Sequence, residues 1–118
     1  MTAKTRAEKM EETRVKLIAA GRKAFAQKGY ADASMDELTA SAGLTRGALY
    51  HNFGDKLGLL AAVVDEIDSA MAQKAKDAGD AAGGGWNGLM AEGRTYIELA
   101  LDPEIQRIVL RDGPAFLG

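Results

Sequence analysis

The stretch from Ser34 to Phe53, Ser-Met-Asp-Glu-Leu-Thr-Ala-Ser-Ala-Gly-Leu-Thr-Arg-Gly-Ala-Leu-Tyr-His-Asn-Phe, constrains the fold more than any other part of the chain. Ser34 followed three residues on by Glu37 is a capping box: the serine hydroxyl takes one free amide of a first helical turn while Glu37 reaches back to another. A short helix therefore starts here. Met35, Leu38 and Ala42 fall on one face at helical spacing, and Gly43 stands where a left-handed residue ends a helix without steric cost. Leu44 tucks under the turn, Thr45 caps a second helix, and Leu49 and Phe53, four apart, give that helix a narrow apolar side. Its other side carries Arg46, Gly47, Ala48, Tyr50, His51 and Asn52. Two short helices joined by a Gly-containing turn match the helix-turn-helix, whose second helix enters the major groove of double-stranded DNA.

The flanking segments extend this into an all-α chain. Leu17, Ala20, Gly21, Ala24 and Phe25 follow the period of an amphipathic helix that Gly29 can end. The first dozen residues show no apolar period and read as a mobile arm or a frayed helix start. Three helices thus make a head with Leu17, Phe25, Leu38, Leu44, Leu49 and Phe53 as its expected core. Beyond Phe53, Asp55 is an N-cap, and Leu57, Leu60, Val64, Ile67 and Met71 form the face of a long connector helix running to about Ala78. Residues 78–88 contain five glycines, which predicts a flexible loop, with Trp86 anchoring the next helix. That helix has Leu89, Met90, Tyr96, Ile97, Ala100 and Leu101 as its face. Asp102-Pro103 opens a last helix with Ile105, Ile108 and Val109 on its face, which Gly113-Pro114 ends. The expected organisation is a helix-turn-helix domain over 1–54, followed over 55–118 by the connector and two further helices of an incomplete regulatory bundle. In that second unit Met71, Met90, Trp86, Tyr96 and Phe116 read as core or interface packing in preference to a ligand pocket.

Composition removes several classes of function. The chain has 118 residues and no cysteine, which excludes disulfides and thiolate metal sites, and its one histidine cannot build a histidine cluster. No cofactor is suggested. No nucleophile has a base partner in sight and no Gly-rich phosphate loop follows a strand, so the chain does not read as an enzyme. Without an apolar leader or a run of roughly 20 apolar residues, it is expected to be cytoplasmic, with no membrane partner. The net charge of −2 hides an asymmetry: residues 1–60 hold ten Lys/Arg against seven Asp/Glu, and residues 61–118 hold five against ten. A basic front half beside an acidic back half is what a chain needs if only its front approaches phosphates.

The chain resembles the TetR (tetracycline repressor) family of bacterial transcription regulators. The resemblance is carried by Ala-Phe-Ala-Gln-Lys-Gly-Tyr at 24–30, by the whole of 34–53 and by Asp-Lys-Leu-Gly-Leu-Leu at 55–60. Residues 101–115 look like stretches of the family's regulatory domains, a weaker signal. The resemblance implies a repressor that binds a pseudo-palindromic operator as a homodimer and releases it when a small-molecule effector occupies the second domain. Family members are normally longer, with further helices that close the ligand pocket and form the dimer interface. The chain is thus expected either to be a fragment or to dimerise in some other way.

The residues in the motif fit DNA contact. Arg46, near the start of the second short helix, can make a bidentate contact to guanine O6 and N7. Gly47 and Ala48 are small enough to let the backbone approach base edges. Tyr50, His51 and Lys56 lie toward the groove walls and, with Ser34 and Thr45, are candidates for phosphate contacts that fix register. Asn52 completes the set, and the family pattern places contacts at these same positions. The alternative is a helical interaction or dimerisation module that keeps the fold without using it on DNA.

Overall fold

The computed structural model describes residues 3–118; Met1 and Thr2, the start of the expected arm, lie outside the described residues. The chain is all-α, with no strand among the described residues. Helix α1 spans Arg6–Lys28, α2 Met35–Ser41, α3 Arg46–Phe53, α4 Lys56–Ala81 and α5 Gly85–Leu99. A last helical segment begins as α6 (Pro103–Ile105), widens into a π-helical stretch over Gln106–Asp112 and resumes as α7 (Gly113–Leu117).

Of the two readings of the first dozen residues, a mobile arm or a frayed helix start, the described residues show the helix start, with α1 beginning at Arg6. The Thr5 hydroxyl accepts the Glu8 amide at 3.1 Å, and Lys4 pairs with Glu12. With a cap in place, the good helix formers between Arg6 and Lys16 extend the helix outward although no apolar stripe supports them. Further along, Leu17, Ile18, Gly21 and Phe25 turn inward. Leu17, Phe25, Leu38 and Leu49 are buried as expected, while Leu44 and Phe53 are only partly covered. Each fully buried Leu or Phe contributes about 1.5–3 kcal/mol.

Most of that core is closed by α4. Its buried stripe is Leu59, Leu60, Val63, Ile67, Met71, Ala75 and Gly79, rotated from the expected face: Leu57 is exposed and Val64 half-buried. The face is set by several neighbours, since α4 packs against α1, α3, α5 and the last helical segment. Ile105 and Ile108 complete the core from that segment.

Two expectations about backbone breaks are corrected. The glycine-rich stretch 78–88 is not a flexible loop: α4 continues to Ala81 and α5 starts at Gly85. Only Gly83, Gly84 and Gly85 turn the chain, with φ of 90°, 72° and 59°, a run that only glycine makes without strain. Gly79 and Gly88 serve a different purpose, because a Cβ on Gly88 would stand 3.0 Å from the Gly79 carbonyl oxygen. They are the seam along which α4 and α5 touch. Likewise Gly113-Pro114 does not end the last helix. Pro114 has no amide to donate, and the turn before it widens, so that the Gly113 amide bonds the Ile108 carbonyl five residues back and the chain stays helical to Leu117.

Because α5 meets the body along a glycine seam, it buries only Gly88. Trp86 is 73% exposed and anchors nothing, and Leu89, Met90, Tyr96, Ile97 and Leu101 also face outward. Core or interface packing, expected for the later aromatic and methionine positions, holds for Met71; Trp86, Met90, Tyr96 and Phe116 are exposed in the chain by itself. The α4–α5 hairpin projects from the body, and the radius of gyration is 16.8 Å against about 13.5 Å for a compact chain of this length. Gly88→Val should therefore force the two helices apart at a cost of about 1–3 kcal/mol. Hydrogen exchange should read this as lost protection confined to residues 85–99, with amides of α1 to α3 unchanged.

Candidate nucleic-acid interface

The head is built from three caps and two turns. Ser34 accepts the Glu37 amide at 3.3 Å, but the Glu37 carboxylate reaches Lys28 at 2.6 Å instead of returning to Ser34; only half of the expected capping box forms. Gly43 has a φ of 68°, and the Leu44 amide bonds the Thr39 carbonyl across the turn at 2.9 Å. Thr45 accepts the Ala48 amide at 3.1 Å and starts α3. Asp55 accepts the Gly58 amide at 2.7 Å and starts α4.

Leu49 plugs α3 into the core, and the Arg14 guanidinium lies 4.9 Å over the Phe53 ring, holding the far end of α3 to α1. The opposite face is left open. Arg46, Gly47, Tyr50 and His51 are exposed, and Ala48 and Asn52 are half-buried. Arg46 donates to the Tyr50 hydroxyl at 3.1 Å and stands 3.4 Å from the Asp36 carboxylate. The hydroxyl bond and the nearby Asp36 hold its already high pKa up. Both side chains of the Arg46–Asp36 pair are more than half exposed, so water competes with it and it is readily exchanged for another acceptor. Asn52 donates to the Ala48 carbonyl at 2.9 Å and is committed within its own helix.

Besides Asn52, three more of the expected site residues are spent partly on structure. The hydroxyls of Ser34 and Thr45 accept cap amides and keep their own protons available to an outside acceptor. Lys56 sits 4.5 Å over the Tyr30 ring and points toward the Ala31 carbonyl, against the turn between α1 and α2. Arg46, Gly47, Tyr50 and His51 are exposed on α3, while Ser34 caps α2 and Lys56, at the start of α4, lies against Tyr30 and Ala31.

A second set of polar contacts joins residues far apart in the sequence, and no motif announces it. Asp112 is buried, and its carboxylate accepts the Tyr30 amide at 2.8 Å and the Arg111 Nε at 3.0 Å. Arg107 donates to the Ala26 and Gln27 carbonyls at 3.0 and 2.9 Å, capping the end of α1 from another part of the chain. Arg22 bonds Glu104, with Nε to oxygen at 2.7 Å. Tyr30 packs against Phe116 with ring centroids 4.5 Å apart and the rings tilted by 47°. Gly29, φ 82°, makes room, since a Cβ there would stand 2.9 Å from the Arg111 guanidinium. The one local signal of this cluster is Asp112 itself, a charged residue four places after Ile108 on an otherwise apolar helix face.

Burial alone would push the Asp112 carboxyl up, but the hydrogen bonds from Arg111 and the Tyr30 amide, with the Arg111 and Arg107 charges, outweigh it and hold the group below its ordinary value. A carboxyl lowered in the folded state stabilises fully above its unfolded pKa, about 3.9, and loses that contribution as pH falls through the lower folded value. The stability lost in Asp112→Asn should therefore be largest above about pH 4 and vanish on further acidification. Urea unfolding of both proteins across that range measures it.

Comparison with known proteins agrees with this geometry. Residues 17–63 match the family model for bacterial regulatory proteins of the tetR family, and residues 86–118 match a tetracyclin repressor-like C-terminal domain. The transcriptional regulator TtgR of Pseudomonas putida is 32% identical over 106 residues, covering 86% of this chain and 49% of that protein. The regulator SrpR of the same species is 45% identical over 64 residues, 54% of this chain and 30% of that protein. The transcriptional repressor AcnR of Corynebacterium glutamicum is 32% identical over 97 residues, 82% of this chain and 45% of that protein. A TetR-family transcriptional regulator from Pectobacterium atrosepticum superimposes with a TM-score of 0.84 at 59% identity, over 98% of this chain and 59% of that one. The chain spans about half the length, or less, of these curated relatives. Two matched models in family order, a fold shared at this identity and a capped helix-turn-helix at 34–53 lead to one conclusion: the chain belongs to the TetR family of bacterial transcriptional regulators.

Proposed function

We propose that this chain is a sequence-specific DNA-binding transcriptional regulator that acts as a repressor on a pseudo-palindromic operator. The observation that carries the reading is the open face of α3, on which Arg46 is held by one exposed carboxylate and one phenol, both of which a base edge can replace. Small residues at Gly47 and Ala48 let that face approach a groove floor, where Arg46 reads guanine. Tyr50 and His51, with Ser34, Thr45 and Lys56 at the rim, contact phosphates and set register. Asn52 contributes mainly by fixing α3. Relatives described as regulators and repressors support the same activity. We place the division between the DNA-binding unit and the connector with its partial regulatory unit at residue 54. The protein works in the cytoplasm and catalyses no reaction.

An effector would act through the second unit, where the contacts of Asp112 and Arg107 tie the last helical segment to the end of α1. The operator is bound by a homodimer, and α5, with its uncovered apolar residues, is the surface by which this length of chain would pair weakly. Sedimentation at micromolar concentration should show a reversible monomer–dimer equilibrium; a tight dimer at all concentrations contradicts it.

Random-sequence selection with the purified chain should enrich palindromic sites. Against such a site, Arg46→Ala should weaken binding on the order of tenfold to a hundredfold and relax preference at one base pair per half-site. A mobility-shift series over single-base variants reads both effects. Unchanged affinity and preference would remove Arg46 from base reading.

A further inference from the structure

The first turns of α1 carry an ordered pattern that an unstructured arm would lack. Arg6, Lys9, Met10 and Thr13 follow the i, i+3, i+4, i+7 spacing of one helix face, and Glu8, Glu11, Glu12 and Val15 follow the same spacing on another. The two sets are offset by two residues, roughly 200° around a helix, so they lie on opposite sides. The first side carries no carboxylate, while the second holds Glu8, Glu11 and Glu12 together with Lys16, and Lys4 pairs with Glu12. The cationic side faces α3: Arg6, Lys9, Met10 and Thr13 form one wall of a groove of about 350 Å³, and Gly47, Ala48, His51 and Asn52 form the other. The carboxylates Glu8, Glu11 and Glu12 gather with Val15 and Lys16 around a separate depression. No carboxylate lines the groove, and neither Arg6 nor Lys9 pairs with one among the described residues.

We propose that the exposed start of α1 is the second wall of a DNA-backbone groove, in which Arg6 and Lys9 neutralise phosphates of the strand flanking the major groove that α3 reads. The inference rests on the DNA-binding reading above. When α3 lies in a major groove, the sugar–phosphate strand at its rim runs beside the helix, and on this side the neighbouring surface is α1. Thr13 adds a hydroxyl donor to that wall, and His51 and Asn52 line the other. The occupant is a polyanion, because the charge on the walls is positive and unpaired. Glu8, Glu11 and Glu12 line the other side of α1, away from this groove. These contacts carry no base information, so they govern affinity and salt dependence and leave preference untouched.

The test uses the full chain and an operator-like duplex enriched from random DNA by the unmodified protein, with affinity measured by fluorescence anisotropy across a salt series. The double variant Arg6→Ala/Lys9→Ala should weaken binding about tenfold or more near physiological salt and lower the slope of log K against log salt by about 0.9 for each phosphate no longer neutralised. The enriched sequence should not change. Arg6→Lys/Lys9→Arg, which keeps both charges, should restore most of the slope. Lys74→Ala/Lys76→Ala, at the far end of α4, changes the net charge equally and should leave the slope alone. Arg6, Lys9, Lys74 and Lys76 are all exposed, and thermal melts should be unaltered. If Arg6→Ala/Lys9→Ala keeps the full slope while Arg46→Ala still loses base preference, the groove proposal fails and the reading of α3 stands. An equal drop for the Lys74/Lys76 variant also overturns it, by assigning the effect to net charge. Failure of the unmodified protein to enrich any duplex removes the DNA reading and this inference together.

Discussion

Leu59 closes over Gly21, and the two halves of the molecule hang on that crossing. A Cβ on Gly21 would stand 3.0 to 3.3 Å from three atoms of the Leu59 side chain, so α1 and α4 meet at the distance a missing side chain allows. Around it Leu17, Phe25, Leu59 and Val63 are fully buried. The head has little core without α4: α2 brings Leu38 and Thr39 inward and α3 brings Leu49. Helices of seven and eight residues are too short to persist alone in water. Their geometry is therefore a consequence of the α1–α4 crossing, with the caps at Ser34, Thr45 and Asp55 choosing where each begins.

This explains which parts of the fold were legible in the sequence. Caps and C-terminal glycines act over three or four residues, so the helix starts at Met35, Arg46 and Lys56 and the stop at Lys28 could be read locally. The rotation of the α4 face could not, because whether Leu57 or Leu59 turns inward depends on several helices that approach from different directions. The glycine-rich stretch misled for a related reason. Glycine costs a helix roughly 1 kcal/mol per residue, and that local penalty argued for a loop. The close α4–α5 approach at Gly79 and Gly88, which offsets it, is a tertiary property. At the N-terminus there is no apolar period to reveal the helix, and the period present there is one of charge.

The α3 face was legible because a helix of two turns has few ways to divide its residues: with Leu49 and Phe53 inside, Arg46, Gly47, Tyr50 and His51 must face out. Their partners were not legible. Lys56 against Tyr30, Arg46 beside Asp36 and Arg14 over Phe53 each join residues from different helices or turns. The Asp112 cluster lay furthest out of reach, since its carboxylate meets an amide 82 positions earlier in the chain.

That cluster ties the last helical segment to the end of α1 and to the turn that follows it. Arg107 holds the last carbonyls of α1, Asp112 holds the amide of Tyr30, and Phe116 lies on the Tyr30 ring, so three successive turns of one segment grip the same α1–α2 turn. Two of the three contacts involve charged groups that are partly or wholly screened from water, and such bonds are costly to leave unmade. The segment therefore cannot slide along α4 without either carrying the α1–α2 turn with it or releasing Asp112 and Arg107 together. The turn leads directly into Ser34 and α2, and α2 carries the Asp36 that pairs with Arg46. The turn between α1 and α2 is thus held from one side by the last helical segment and leads, on the other, into the helix whose Asp36 stands beside Arg46.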